Sequence, residues 1–205
     1  KARNLLSDTE YYYLLAALIE SIPFVSNIAG TYGAYLKHWD KRTFKDLMLK
    51  HLEINDNSKK NVSHNEDSNS LIKKISGDIL YIDPPYNTRQ YFPNYHLLEN
   101  VSRYDKPDLY GVSGLSKYEE YKSNYSIRNR AVKSFNELIK YANFRNIIVS
   151  YSSEGIMELD EIESILFNHC DKSSYKLKKI PYRRYKHQKD TKKNSLIEYI
   201  FYIRK

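Results

Sequence analysis

With 33 Lys and Arg against 25 Asp and Glu, the 205-residue chain has a formal charge of +8 and a pI of about 9.2, which favours a polyanionic partner, nucleic acid first. Its length suits one well-cored α/β domain and is short for two, and its single cysteine, Cys170, excludes a disulfide framework and a cysteine-built metal site. No apolar run reaches the length of a membrane span and no basic-then-apolar leader opens the sequence, so a soluble, cytoplasmic protein without a membrane partner is expected.

Ser7 and Glu10 have the spacing of a capping box, and Tyr11, Leu14, Leu15, Leu18, Ile19 and Ile22 then share one helical face until Pro23 ends the run. A second helix is expected after Asp40, with Phe44, Leu47, Met48 and Leu52 on one side and Lys41, Arg42, Lys45 and Lys50 on others. Residues 55–70 are almost wholly polar and read as a loop or a short exposed strand around Val62 rather than core. A short helix from Ser70 to Ile75 leads through Gly77 into the strand-like run Asp78–Ile82. Beyond it, His96–Tyr104 reads as a helix and Asp105–Tyr125 as a long irregular stretch, a kind of segment that is usually functional. Ala131, Val132, Phe135, Leu138 and Ile139 mark a helix that feeds the buried-looking strand Asn146–Tyr151. A helix over Glu161–Cys170 follows, and the strands Tyr175–Tyr182 and Leu196–Arg204 close the chain around a strongly basic loop. This order is that of the second half of a doubly wound sheet.

The candidate site is Asp83-Pro84-Pro85-Tyr86, directly after the first strand. Ligands of open α/β sheets collect outside the carboxyl ends of parallel strands. Two consecutive prolines fix φ and remove two backbone donors while their carbonyl oxygens still accept. A carboxylate, a proline carbonyl and a tyrosine face suit a flat ring with an exocyclic amino group, held by its edge and stacked on its face, and adenine is such a ring. The plain alternative is a surface turn. The six histidines show no metal-ligand spacing, and no metal is expected.

The stretch from Gly77 to Phe92, with Asn94–Glu99 and Ser150–Gly155 further on, resembles the DPPY-type adenine-specific DNA methyltransferases of bacterial restriction-modification systems and orphan adenine methylases. The resemblance implies a class I S-adenosylmethionine-dependent, Rossmann-like α/β fold from its third strand onward, with the last strand antiparallel to the rest. It implies S-adenosylmethionine as cofactor, double-stranded DNA as partner and a flipped adenine as target. Asp83, Pro84, Pro85 and Tyr86 would then be catalytic: the carboxylate and the Pro84 carbonyl hold the amino group and the Tyr86 ring stacks on the base. Asp83 would also border the cofactor, whose adenine would lie near Asp67 and Ser68; a simple helix-cap cluster is the alternative there. Asn87 and Tyr91 would shape the base pocket, and Arg89 would meet a phosphate.

The glycine-rich turn and the ribose-binding acid of that family are not recognisable: Ala29-Gly30-Thr31-Tyr32-Gly33 has one residue too many between its glycines. A segment preceding this chain, or a second chain, is expected to supply them. Residues 1–55 read as a helical segment for target recognition or an insertion, and residues 56–205 as the catalytic domain's second half. Arg183, Arg184, Lys186, Lys189, Lys192 and Lys193, against the single acid Asp190, read with Tyr185 as a DNA-contacting loop, the alternative being an ordinary solvated face. Two rivals remain open: an RNA base amino-methyltransferase, and a DNA-binding subunit that supports an active partner.

Overall fold

In a computed structural model, which describes residues 5–34, 36–183 and 195–205, the expected capping box opens helix α1 (Asp8–Ser21): the Ser7 hydroxyl accepts from the Glu10 N–H and the Glu10 carboxylate accepts from the Ser7 N–H at 2.8 Å. The chain divides into two compact units, Lys1–Val62 with Gln90–Lys122, and Ser63–Arg89 with Ser123–Lys205. The first unit therefore runs past the expected boundary at residue 55 and takes in Gln90–Lys122 as well, because α3 (Tyr91–Arg103) packs on α1.

Within that first unit the helix expected after Asp40 is only a 3-10 turn, Lys41–Phe44, capped by the Asp40 carboxylate. Lys45 is already extended, with φ −90° and ψ 151°. The backbone beyond it finds partners on α1: the Lys50 N–H donates to the Ser21 hydroxyl at 2.7 Å, and the Tyr13 hydroxyl bonds both the N–H and the carbonyl of Leu52 at 3.1 Å. Those bonds satisfy donors and acceptors that a helix would have satisfied internally.

The second unit is built on a four-stranded sheet. Its elements are α2 (Ser68–Leu71), β1 (Ser76–Ile82), α4 (Arg128–Tyr141), β2 (Asn143–Ser152), α5 (Leu159–His169), β3 (Asp171–Arg183) and β4 (Ser195–Arg204). The strand order is β1-β2-β4-β3. β1 and β2 are parallel, with Ile82 opposite Val149; β4 is antiparallel to β2 and to β3, so the last strand is inserted, reversed, between the two. Helices α4 and α5 pack together. Phe135 and Ile139 of α4, Ile162 and Leu166 of α5, Ile147 and Val149 of β2, and Phe201 and Ile203 of β4 are fully buried in one core. Each such side chain contributes about 1.5–3 kcal/mol by leaving water. β1 is an edge strand in this sheet, and its alternate residues Ile79 and Tyr81 are exposed while Ile82 turns into the core. Among the described residues no helix is long and apolar enough to cross a membrane.

Candidate active site

Because β1 and β2 are parallel, the residues following Ile82 and those following Ser152 emerge at the same end of the sheet. Asp83 and Tyr86 are exposed there, Pro84 is buried and Pro85 half-buried. The Tyr86 carbonyl accepts from the Ile156 N–H at 2.8 Å, which ties the loop after β1 to the loop after β2. Tyr86 is thus held through its backbone while its ring remains 43% exposed, and it is not a core ring.

The second loop is fixed from below and from the side. The Tyr151 hydroxyl, fully buried, accepts from the Met157 N–H at 3.1 Å, and burial raises the pKa of that hydroxyl. Gly155 lies so close to the same ring that a Cβ would stand 2.1 Å from it, so any side chain at this position would force the loop off Tyr151. The Ser153 N–H donates to the Ile197 carbonyl at 2.8 Å, binding the loop to the start of β4. From the side, the first residue of α4, Arg128, donates to the Ile156 carbonyl and makes a two-pronged pair with Glu161 of α5 at 2.7 and 3.2 Å. Arg128's hydrogen bonds hold the Glu161 carboxyl below the usual carboxylate range. Glu161 also closes a capping box by accepting from the Glu158 N–H at 2.7 Å. Arg128 and Ile156 are absent from the sequence reading, and Glu161 enters it only as the start of a helix. The three-residue spacing of Glu158 and Glu161 ahead of an apolar run was a visible signal for the cap, but nothing in the sequence pairs Arg128 with a residue 33 positions on.

The other expected site residues are distributed as follows. Asn87 accepts from the Arg89 N–H through its side-chain oxygen at 2.9 Å, turning the chain after the motif, and Arg89 is exposed with its carbonyl accepting from the Ser126 hydroxyl. Tyr91 begins α3 in the first unit, where its ring stacks on Tyr95 at 6.1 Å. Asp67 is the N-cap of α2: one carboxylate oxygen accepts from the Ser70 N–H at 2.9 Å and the other makes no hydrogen bond among the described residues, while Ser68 opens the helix. Arg183 is the last residue of β3. Arg184, Tyr185, Lys186, Lys189, Lys192 and Lys193 lie outside the described residues. Ala29–Gly33 follows a helix and a 3-10 turn rather than a strand, so it is no strand-to-helix phosphate or cofactor turn. Among the described residues no group of His, Cys, Asp or Glu side chains is placed to hold a metal ion.

The family profile described as D12 class N6 adenine-specific DNA methyltransferase matches residues 1–165. The chain belongs to that family. It is 55% identical over 205 residues to Type II methyltransferase M.FokI of Planomicrobium okeanokoites, and 47% identical over 205 residues to Modification methylase StsI of Streptococcus sanguinis. Both matches take in 100% of this chain but only 32% and 31% of the relatives' own lengths. Type II methyltransferase M.NlaIII of Neisseria lactamica is 39% identical over 209 residues, with 61% of its length covered. The chain thus spans about a third of the length of the first two relatives. No solved structure matches it.

Proposed function

We propose that this chain carries the target-base half of an S-adenosylmethionine-dependent methyltransferase that modifies the amino group of a flipped adenine in double-stranded DNA, as the modification arm of a restriction-modification system. The observation that carries the reading is the Asp83–Tyr86 loop, fastened by the Tyr86 carbonyl to Ile156 with the Asp83 carboxylate and the Tyr86 ring facing outward. The order β1-β2-β4-β3, with a reversed last strand inserted next to β3, supports the later strands of a class I Rossmann-like fold. The relatives' names, Type II methyltransferase and Modification methylase, support the biological role.

An adenine amino nitrogen is a poor nucleophile because its lone pair is delocalised into the ring. Hydrogen bonds from that group to the Asp83 carboxylate and the Pro84 carbonyl favour a more tetrahedral nitrogen, and they act most strongly where charge develops. Pro84 and Pro85 stiffen the acceptors, so little reorganisation is needed when the base arrives. The Tyr86 ring stacks on the extruded base, and the departing proton passes to Asp83 or to water. S-adenosylmethionine, when bound, supplies an electrophilic methyl group. Of the described residues, Asp67 with its remaining carboxylate oxygen, Ser68 and Asp83 fit the adenine and the reactive end of that cofactor. A glycine turn following a strand, which would hold its methionine part, is not among the described elements.

Methyl transfer from a tritiated donor to duplex DNA, with RNA as a second arm, tests the reading when the chain is assayed together with the segment or second chain that supplies the glycine turn. Asp83→Ala should lower transfer to DNA by at least about 10²-fold, with circular dichroism and DNA affinity unchanged. Near-normal turnover in that variant would remove Asp83 from the chemistry, and transfer to RNA alone would replace the substrate.

A further inference from the structure

Asp67 stands at the start of α2, and α2 is a single turn, Ser68–Leu71. A turn of that length has no stability of its own, because nucleating it costs more than its few hydrogen bonds return. Its position is therefore set by what its side chains touch. Two anchors hold it. Ile72, the residue after its last, is buried in the core of the second unit. On its flank Asn69 reaches over to α4: the amide NH₂ donates to the Ser134 carbonyl at 2.9 Å, and the side-chain oxygen accepts from the Tyr125 hydroxyl at 2.7 Å. A carbonyl only accepts, so the Ser134 contact fixes which way the amide points and leaves its oxygen for Tyr125. All three residues lie in the second unit, as Asp67 does.

Tyr125 is fixed before it makes that bond. It belongs to the 3-10 turn Asn124–Ser126, its N–H donates to the Ser123 hydroxyl at 3.2 Å, and its ring is buried in the core among residues of α4 and β2. Burial raises the pKa of its phenol, a hydrogen bond with Ser68 lowers it, and the charges of Asp67 and Glu137 raise it further. The hydroxyl thus keeps its proton at neutral pH and donates it. The Ser134 carbonyl, at 3.3 Å, is a longer second acceptor for it. One phenol on a rigid turn therefore touches Ser68 and Asn69, the two residues that follow Asp67.

We propose that Tyr125 is a positioning residue for S-adenosylmethionine: through Ser68 and Asn69 it aligns the turn that carries Asp67, so that the carboxylate oxygen not used by the Ser70 N–H meets the 6-amino group of the cofactor's adenine. The inference rests on the reading of Asp67 and Ser68 as cofactor residues, and it adds the group that aims them. An acceptor held in place beforehand gives up little freedom when the ligand arrives, and affinity gains by that amount.

The test compares two ligands that differ only at that amino group, S-adenosylhomocysteine and S-inosylhomocysteine, in which a carbonyl oxygen replaces it. Calorimetry is run on the chain together with the segment or second chain that supplies the glycine turn. The parent should bind the adenosyl form at least about tenfold more tightly, since the inosyl form turns an acceptor toward the Asp67 carboxylate. Tyr125→Phe should weaken the adenosyl form by about tenfold and leave the inosyl form nearly unchanged, so that the preference shrinks. Asn69→Ala should do the same, and it serves should Tyr125→Phe not fold. In the Asp67→Ala background Tyr125→Phe should cost no further affinity, because both changes remove one interaction. Equal weakening of both ligands by Tyr125→Phe and Asn69→Ala, or an undiminished preference in both, would overturn the proposal and leave Tyr125 a core residue alone. If Asp67→Ala itself keeps the parent's preference, the reading of Asp67 falls and the inference with it; a parent that binds neither ligand would remove the cofactor reading altogether.

Discussion

Tyr86 separates two jobs that a side chain usually combines. Its carbonyl oxygen ties the loop to Ile156, and the residue stays 43% exposed, with the ring proposed to stack on the base. Tyr86→Ala should therefore spare the fold and weaken capture of the extruded base, by about 1–3 kcal/mol if the ring stacks fully. The measurement is the affinity for a duplex with a mismatched target adenine, set beside the thermal midpoint; an unchanged affinity would take the ring out of the base pocket. At this scale the sequence was readable where chemistry and geometry coincide. Asp83 and its prolines lie at a strand end in the residue order itself, and Asp67 precedes a helix by its spacing. Gly155 ends the family-like segment Ser150–Gly155, yet its reason is a contact with the Tyr151 ring, which no spacing rule reveals.

Between elements, the loop after β2 is held by a pair that bridges two helices. Glu161 titrates below the usual carboxylate range because Arg128 hydrogen-bonds its charged form. A lowered folded-state value gives stability that is present above the unfolded value and is lost as pH falls through the folded one. Arg128→Ala should therefore be less stable than the parent at neutral pH, and the gap should close on acidification from about pH 5 to pH 3. Urea midpoints measured for both proteins across that range check it. Glu10, Asp40 and Asp171 are also lowered by local hydrogen bonds, so the parent loses stability in acid for several reasons, and only the difference between the two proteins isolates Glu161. A gap independent of pH would mean that Arg128 acts through the Ile156 carbonyl alone. Elements whose own pattern agreed with their packing were legible: the capping box of α1, the core face of α4, the buried run of β2 and the closing strand pair. The expected helix after Asp40 failed because its apolar face has no core to meet. Phe44 and Met48 are 78% and 79% exposed, and the backbone is bonded by Ser21 and Tyr13, which lie 29 and 39 positions away from their partners.

For the molecule as a whole, the excess of eight positive charges leads to a proposal about the basic residues between the last two strands, most of which lie outside the described residues. Replacing Arg183, Arg184, Lys186, Lys189, Lys192 and Lys193 with neutral residues should weaken DNA binding for all sequences, because bound cations release condensed counterions. The slope of log affinity against log salt should fall by about 2 to 3 if roughly half of the six meet phosphates. An unchanged slope would make the loop plain solvated surface and move the phosphate contacts elsewhere. The division into two units follows from pairings far apart in sequence, such as Tyr32 with Asn94, and a residue-order reading had no means to see that Gln90–Lys122 returns to the first sixty residues. One consequence of the sheet order concerns motion. β2 lies between β1 and β4, whereas β1 has a neighbour on one side only. Amides along β2 should resist hydrogen-deuterium exchange nearly to the free energy of global unfolding. Along β1 protection should alternate, slow for amides directed to β2 and fast for those directed outward. The Asp83–Tyr86 loop is thus fastened at Ile156 and continues from a strand paired on one side only, so exchange should show more opening at its Asp83 end than at its Tyr86 end.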